Sequence, residues 1–486
     1  MANIYVSISG HSKQFDVVNM LLLFWPGSKI YEKRTKGCDV FATSRIMESH
    51  GCYRVIAKIR YKKKDYCCQR SIDNNDDENL IKLIKQTLFF AGNKATGVCP
   101  PWGILTGIRP MSVYEKLRAS YSSDETDKIL DREFFLSKQK RLILSTIYDF
   151  RKPVYYDGVK EDASLYISIP FCPSKCYYCS FVSSAVEKVQ KLIPLYLEQL
   201  HKEIAEKIDI LYASGKRIST VYIGGGTPGV LNEKQIDDLL SLIRSKLNAP
   251  LHELCYELGR PETVTEEKLK ILKMHGVDRI CINCQTLNDD ILEAVGRHHT
   301  AQQFIDACAM AQKYGFKSIN VDFIAGLPDE NVSSHVKSVQ KTICLNIENI
   351  TIHCLSIKKA NTWARPDDLF DPTADSVAQM VETDAMLLQK NGYYPYYIYR
   401  QKNTVSNGEN IGYAKEGCIG KYNIYMMEDV HSVIGCGAGA STKIIHGENG
   451  RIDRFVNTKY PQEYLKFPEK LQENIEAIRE NLKGNY

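Results

Sequence analysis

Short apolar runs alternate along the chain with longer stretches of helical periodicity from residue 165 onward. The apolar runs lie at 165–170, 221–225, 254–258, 279–284, 319–325 and 350–357, and we predict a strand at each of these six places. The stretches between them, at 189–212, 233–247, 266–274, 301–314 and 332–342, space their apolar residues as helices do. Such alternation favours parallel βαβ units, so the pattern predicts an α/β fold, a partial (βα)6 barrel whose chemistry lies at the carboxyl ends of its strands.

The regions on either side break this pattern. The first 150 residues do not continue the alternation, and the run Arg151-Lys152-Pro153, followed by a Tyr-, Asp- and Gly-containing stretch, is typical of a linker. After residue 357 a polar connector precedes a predicted helix at 374–389. We therefore predict three domains: an N-terminal mixed α/β domain at 1–150, the barrel at 160–357 and a C-terminal α+β cap at 358–486.

Composition narrows the class of protein. The 486 residues exceed the size at which one hydrophobic core usually stops growing, and 44% hydrophobic with 25% charged residues is typical of a globular protein. A net charge of +5 without a long basic run argues against a nucleic-acid partner. No early apolar stretch is long enough to span a bilayer, so we expect a cytoplasmic protein without a membrane span. Its 16 cysteines are then expected to be thiols or metal ligands.

Three cysteines follow the first predicted strand in a CxxxCxxC loop: Cys172, Cys176 and Cys179. Three thiolates leave one iron of a 4Fe-4S cluster free for a ligand that is not protein. In a radical enzyme this iron binds the amine and carboxylate of S-adenosylmethionine, so we predict that these cysteines are the metal ligands and the catalytic centre. The alternatives are a zinc site, which normally needs a fourth Cys or His nearby, and incidental buried cysteines.

Polar residues near other strand ends support this interpretation. A Gly-rich turn at 224–228 follows the second strand, where missing side chains allow a ligand to approach the backbone. Glu257, Gln285 and Asp322 stand in apolar surroundings, and a buried polar group without a partner costs about 1–3 kcal/mol. They would suit ribose hydroxyls or the methionyl amine, and Arg297 would suit the cofactor carboxylate. The alternative is an internal polar network.

Four strings together resemble the oxygen-independent coproporphyrinogen III dehydrogenases, also called oxidases, which are radical S-adenosylmethionine enzymes: LYISIPFCPSKCYYCSF, VYIGGGTP, CINCQTLNDDILEAVGRHHT and SINVDFIAGLPDE. The resemblance covers roughly residues 160–445. Two further strings, WGILTGIRP and YYIYRQKN, are similar to the HemZ-like branch of this family.

The resemblance implies the residues that bind S-adenosylmethionine, which are Tyr166, Tyr178, Gly225, Gly226, Thr227, Glu257, Gln285, Arg297 and Asp322. Some members hold a second S-adenosylmethionine, whose contacts would fall near Ser356 and 435–441. The chain departs from the family pattern at two places. Gly229 replaces the Thr that usually follows GGGTP, and Gly420-Lys421-Tyr422-Asn423 replaces an SRHN-like string.

The resemblance also implies an activity. A 5′-deoxyadenosyl radical would remove a hydrogen from the β-carbon of a substrate propionate, and loss of carbon dioxide and one electron would leave a vinyl group. Two such reactions convert coproporphyrinogen III to protoporphyrinogen IX in haem biosynthesis. We expect a monomer served by a low-potential electron donor such as flavodoxin or ferredoxin, with Arg109, Arg400 and Lys402 as candidates for binding the substrate carboxylates.

Two other functions stay open at this point. One is a haem-binding or haem-delivery protein, because a related branch carries the same cysteine motif. That branch lacks a long N-terminal domain, which favours the enzyme here. The other is radical chemistry on haem itself, such as ring opening.

Overall fold

The chain divides into two compact units. The computed structural model describes residues 2–33, 37–73, 76–157, 159, 161–180, 183–356, 373–401, 404, 408–447 and 450–483. The first unit is Met1–Thr146 with Arg400–Asn403, and the second is Ile147–Tyr399 with Thr404–Tyr486. The residues that we assigned to a barrel and to a separate cap thus lie in one compact unit.

A five-stranded sheet forms the centre of the first unit. Its strands are β1 (Asn3–Ser9), β2 (Lys29–Tyr31), β3 (Val40–Ser49), β4 (Cys52–Tyr61) and β5 (Lys64–Ile72), in the order β2-β1-β3-β4-β5. The helices are α1 (Gln14–Phe24), α2 (Asp77–Thr96), α3 (Pro110–Ser120) and α4 (Ser123–Arg132). A fifth helix, α5 (Lys138–Asp157), begins in this unit and continues into the second, which starts at Ile147. Buried residues alternate along β3 and β4 and form one apolar core with α1 and α2. This unit is mixed α/β, as the sequence predicts.

Helix α5 runs through the segment that we predicted to be a linker, so that prediction is wrong. Pro153 lies inside the helix, where it removes one intrahelical hydrogen bond. Tertiary contacts compensate, because Arg151 is fully buried, forms an ion pair with Glu428 and lies 5.1 Å from the ring centre of Tyr155. Phe150 and Tyr155 pack against one apolar cluster, which includes Tyr396 and Tyr425.

The second unit contains the predicted barrel strands. They are β6 (Asp162–Ile169), followed after the short pair β7 (Phe171–Cys172) and β8 (Ser184–Ala185) by β9 (Arg217–Gly225), β10 (Glu253–Gly259), β11 (Arg279–Ile282), β12 (Ser318–Ala325) and β13 (Asn349–Cys354). β6 and β9 to β13 pair in parallel in chain order, which confirms the six predicted strands. The helices between them are α6 (Val186–Val189), α7 (Ile193–Ala213), α8 (Glu233–Lys246), α9 (Glu266–Met274), α10 (Asp289–Ala294), α11 (Ala301–Gln312) and α12 (Val332–Cys344).

The predicted cap residues extend this same sheet at both edges. They form α13 (Ala374–Lys390), β14 (Tyr394–Arg400), β15 (Glu409–Ala414), α14 (Lys421–Met427), β16 (Ser432–Cys436), β17 (Ser441–His446), β18 (Arg451–Val456), α15 (Pro461–Lys466) and α16 (Pro468–Lys483). β15 pairs antiparallel with β13 and carries β14 at one edge, whereas β16 pairs in parallel with β6 and carries β17 and β18 at the other. The sheet therefore has eleven strands.

Local sequence determines where several barrel helices begin. The Asn232 side chain accepts from the Gln235 backbone amide, and the Gln235 side chain accepts in return from the Asn232 amide, a capping box at the start of α8. Thr300 and Gln303 form the same box at the start of α11. In the described part of the chain, no helix has the length and apolar character needed to cross a membrane.

Candidate functional site

One polar position interrupts each of several buried strands. In β6, β10, β12 and β13 every residue is buried except one, and these exceptions are Tyr166, Glu257, Asp322 and His353. Tyr222 on β9 is also partly exposed, and its hydroxyl donates to Glu257. The rings of Tyr166 and Tyr222 stack 6.2 Å apart, and His353 Nε2 lies 3.8 Å from Asp322 Oδ2. These contacts place the five side chains on one accessible face of the sheet.

Glu257 is the electrostatic centre of this face. Burial raises the pKa of its carboxyl to about 7, the Tyr222 hydrogen bond opposes this rise, and the negative charge of Asp322 adds to it. Gly224 leaves the space that the carboxylate occupies, since a Cβ there would lie 2.8 Å from Glu257 Oε2. Neutral and ionised Glu257 are therefore close in free energy near pH 7.

The Gly-rich turn packs directly on the cysteine loop. The Thr227 amide donates to the Phe171 carbonyl at 2.7 Å. A Cβ on Gly226 would lie 2.6 Å from the Phe171 oxygen and 3.0 Å from Cys172 Sγ, so any side chain there would displace the loop. Gly225 has a φ of +112°, which only glycine adopts readily. Both glycines are needed for the turn to approach the cysteines this closely.

Two arginines converge on the second cysteine. Arg260 Nη2 donates to Cys176 Sγ at 3.1 Å, and Arg297 Nη1 lies 3.9 Å from the same sulfur. Arg297 Nη1 also donates to the hydroxyl of Tyr178 at 3.1 Å. Both guanidinium groups are buried. The predicted residues Cys176, Tyr178 and Arg297 are thus in contact.

Gln285 follows β11 in a strained conformation. Its φ of 73° is unusual for a residue with a side chain, and its amide donates to the Asp322 carbonyl at 2.9 Å. Within the described ranges, Gln285 Oε1, Asn283 Oδ1 and Arg297 Nε are buried without a hydrogen-bond partner. Buried polar atoms of this kind normally have partners, so their clustering indicates a polar ligand here.

The cysteine loop has the donor chemistry of an iron–sulfur cluster site. Among the residues that the structure describes, no three His, Cys, Asp or Glu side chains are grouped as ligands of one metal ion. In a cubane cluster each cysteine binds a different iron, so the three thiols need not meet at one point. Cys172 and Cys176 are buried and Cys179 is half-buried. With two guanidinium groups on Cys176 and the unpaired Gln285 oxygen nearby, this donor set fits a cluster and a polar cofactor.

Both departures from the family pattern have packing reasons. A Cβ on Gly229 would overlap the Leu258 carbonyl and the Thr263 hydroxyl, and the Gly229 carbonyl accepts from Lys268 Nζ at 2.7 Å. The Thr263 hydroxyl thus lies where a side chain at position 229 would begin. In the other segment, Glu253 accepts from the backbone amides of residues 421 and 422 at 3.0 and 3.1 Å.

That anchored segment adds a third ring to the polar face. The ring of Tyr422 stacks 4.6 Å from that of Tyr222 and 6.4 Å from that of Tyr166. Tyr422 is buried, so the three rings form an apolar layer beside Glu257.

Several of the residues predicted to contact the substrate or a second cofactor contact other parts of the protein instead. Arg400 is buried, donates to the Leu105 carbonyl and lies 5.5 Å from the ring centre of Trp102, which assigns it a packing role in the first unit. Arg109 immediately precedes α3, and Lys402 lies outside the described residues. The backbone of 435–438, predicted near a second cofactor, is hydrogen-bonded by Lys207 and by the side chains of Glu203, Tyr196 and Ser168.

Sequence reasoning missed three residues of this region. His353 carries the same signal as Glu257, a polar residue in an apolar strand, and could have been found. Tyr222 could not, because tyrosine is common in buried strands. Arg260 follows β10 in an ordinary turn sequence, and only the fold brings it to Cys176.

The fold and the cysteine loop define a radical S-adenosylmethionine protein, and the Radical SAM superfamily indeed matches residues 166–341. Members of this superfamily bind a 4Fe-4S cluster and S-adenosylmethionine. The chain is 36% identical over 398 residues to the oxygen-independent coproporphyrinogen-III oxidase-like protein HemZ of Bacillus subtilis (strain 168), covering 80% of this chain and 79% of that protein. It therefore belongs to the oxygen-independent coproporphyrinogen-III oxidase-like family of radical SAM proteins, as the motifs predict.

Two further relatives match smaller parts of this chain. The heme chaperone HemW of Escherichia coli (strain K12) is 30% identical over 305 residues, which are 62% of this chain and 75% of HemW. The solved coproporphyrinogen III oxidase (HemN) of Escherichia coli superposes with a TM-score of 0.52 and 23% identity, over 66% of this chain and 72% of that one. The HemN similarity confirms the radical SAM fold class.

Proposed function

We propose that this protein converts coproporphyrinogen III to protoporphyrinogen IX by oxidative decarboxylation of two propionates. The observation that carries the proposal is the similarity to the coproporphyrinogen-III oxidase-like relative over 80% of the chain, against 62% for the HemW relative. In this proposal a flavodoxin- or ferredoxin-like donor supplies electrons, the protein acts as a monomer, and 1–150, 160–357 and 358–486 are its functional domains.

The proposed cofactor site uses the residues grouped around the cysteine loop. Cys172, Cys176 and Cys179 would hold the cluster, and its bound S-adenosylmethionine supplies a 5′-deoxyadenosyl radical. Arg297 would bind the cofactor carboxylate, and the unpaired Gln285 oxygen would accept from an amine or a hydroxyl. The other proposed contacts are Tyr166, Tyr178, Gly225, Gly226, Thr227, Glu257 and Asp322.

The chain's own side chains would prepare the reacting face. Ionised Glu257 and Asp322 provide negative charge for a cationic cofactor, and the tyrosine layer excludes water from one side of Glu257. The hydroxyl of Tyr399 lies 3.4 Å from His353 Nδ1, so these two side chains extend the polar face. They are the side chains best placed to meet a substrate bound beyond the cofactor.

A second candidate function is haem delivery, which the HemW similarity favours. A delivery protein would bind haem without consuming S-adenosylmethionine. The first unit, with its own sheet and apolar core, is additional to the radical SAM region at 166–341. It favours the enzyme because the delivery branch that this chain resembles lacks such a domain.

One anaerobic assay separates these functions. Reconstituted protein is incubated with dithionite, S-adenosylmethionine and either coproporphyrinogen III or haem, and tetrapyrroles and 5′-deoxyadenosine are measured by chromatography. We expect protoporphyrinogen, with 5′-deoxyadenosine, from coproporphyrinogen III alone. Formation of 5′-deoxyadenosine only with haem would refute the proposal in favour of haem chemistry, and tight haem binding without turnover would favour delivery.

The cluster ligands have a separate test. Cys176→Ala should lose cluster absorbance and most of its iron after reconstitution, while Cys344→Ala, which changes an exposed cysteine, should retain both. Full iron content in Cys176→Ala would overturn the ligand assignment.

A further inference from the structure

Arg260 lies closer to the sulfur of Cys176 than Arg297, the arginine that we predicted from the motifs. Its Nη2 donates to Cys176 Sγ at 3.1 Å and to the Ser174 carbonyl at 2.6 Å, and its Nη1 donates to Ser174 Oγ at 2.7 Å. One guanidinium group therefore fixes both the sulfur and the backbone of the loop that carries it. The rigid, forked arrangement of its N–H groups makes this possible.

Solvent screens the positive charge of Arg260 only weakly beside Cys176. Its side chain is only 4% exposed. Its one acidic neighbour among the described ion pairs is Glu262, whose Oε1 lies 3.4 Å from Arg260 Nη1 and whose Oε2 lies 3.4 Å from His299 Nδ1. Charges act strongly over a few ångströms where water is excluded, as it is around the Arg260 side chain. The Glu262 side chain is 24% exposed, so solvent screens its charge more and its influence at Cys176 is the weaker of the two.

Reduction adds one negative charge to an iron–sulfur cluster. A nearby positive charge and a hydrogen bond to a ligand sulfur stabilise this added charge, and they are among the factors that set cluster potentials. A carboxylate near the positive group partly cancels its effect. The pair formed by Arg260 and Glu262 therefore has two opposing actions on any cluster that Cys176 holds.

We infer that Arg260 is a positioning residue that raises the reduction potential of the cluster through Cys176, and that Glu262 moderates this effect. The inference rests on the proposed cluster site and deepens it. It gives the GRPE segment after β10 a role in how readily the cluster accepts an electron.

The test compares full-length variants after cluster reconstitution. The variants are Arg260→Gln, Arg260→Lys and Glu262→Gln, with Arg217→Gln as control, because Arg217 pairs with Asp162 at a partly exposed site on β9. Iron and sulfide are quantified, and the midpoint potential is determined by dye-mediated titration with electron paramagnetic resonance of the reduced cluster. We expect a more negative potential in Arg260→Gln, a smaller shift of the same sign in Arg260→Lys, and a more positive potential in Glu262→Gln.

The opposite signs exclude a purely structural role, because loosening the loop would not shift the potential in both directions. An unchanged potential in Arg260→Gln with full iron content overturns the inference, as does a shift of the same sign in Arg260→Gln and Glu262→Gln. If Arg260→Gln fails to hold a cluster, Glu262→Gln decides, and an unchanged potential there overturns the inference. A wild-type protein that binds no 4Fe-4S cluster, or a fully loaded Cys176→Ala, would instead refute the proposed cluster site itself.

Discussion

Replacing Glu257 by glutamine should stabilise the protein at alkaline pH and leave it unchanged near pH 4. Burial raises the pKa of this carboxyl to about 7 from 4.5. The folded chain thus binds its proton more tightly than the unfolded chain, and stability falls as pH rises through the window between these two values. Glutamine resembles the protonated carboxyl and can still accept from the Tyr222 hydroxyl, so the variant avoids this loss.

The size of the effect follows from the same two values. The difference between about 7 and 4.5 corresponds to about 3 kcal/mol at about 1.36 kcal/mol for each tenfold change in ionisation. Because Glu257 is partly exposed, solvent screening lowers the expected gain to about 1–3 kcal/mol. At pH 8 the full gain should be present, whereas at pH 4 both proteins carry a neutral group and the gain should vanish.

The assay is thermal unfolding of the cluster-free protein at pH 4, 6 and 8, with the exposed Glu267→Gln as matched control. A variant that melts at the wild-type temperature at pH 8, or whose melting temperature differs equally at all three pH values, would refute the reasoning.

In the cluster-loaded protein the same substitution should weaken S-adenosylmethionine binding, because an ionised carboxylate is lost from the proposed cofactor face. Stability and binding would then change in opposite directions.

Two packing predictions can be checked by denaturation. Lys207→Met leaves Glu203 as a fully buried charge without its 2.6 Å partner and should cost about 3–5 kcal/mol, whereas Lys202→Met on the exposed side of the same helix should cost under about 0.5 kcal/mol. Gly229→Ala should cost about 1–3 kcal/mol because its Cβ overlaps backbone and side-chain atoms, whereas Gly107→Ala, with open space around it, should be neutral. A large loss in either control would contradict the reasoning.

The barrel was predictable because its strands and helices are local patterns. Alternation of buried strands and amphipathic helices marks each βα unit, and the structure has all six strands in chain order. The pairing of β16 with β6 has no such signal, because Ser432 meets Ala163 across more than half the chain. A strand added at the edge of a sheet pairs with whichever edge strand is still unpaired after the barrel strands have formed.

The candidate site was predictable only in part, for similar reasons. Glu257 and Asp322 stand out because a polar residue in an apolar strand demands a partner. Arg260 carries no such signal, since an arginine in a turn is usually solvated. Its burial against Cys176 is a product of tertiary structure, as is the stacking of Tyr422 on Tyr222.

The strained conformation of Gln285 shows how the fold supports the site from outside. The next residue, Thr286, donates to Glu330 at 2.5 Å, and Glu330 lies 3.4 Å from His335, whose other nitrogen is 2.7 Å from Asp384 on α13. All four of these partners are buried. Burying two carboxylates is costly. Burial alone would lower the pKa of His335, but Asp384 and Glu330 raise it to about 10. His335 therefore carries a positive charge, which offsets the two negative charges. This network ties α12 and α13 to the turn that holds Gln285, so residues far from any cofactor atom maintain the backbone geometry that the proposed contact requires.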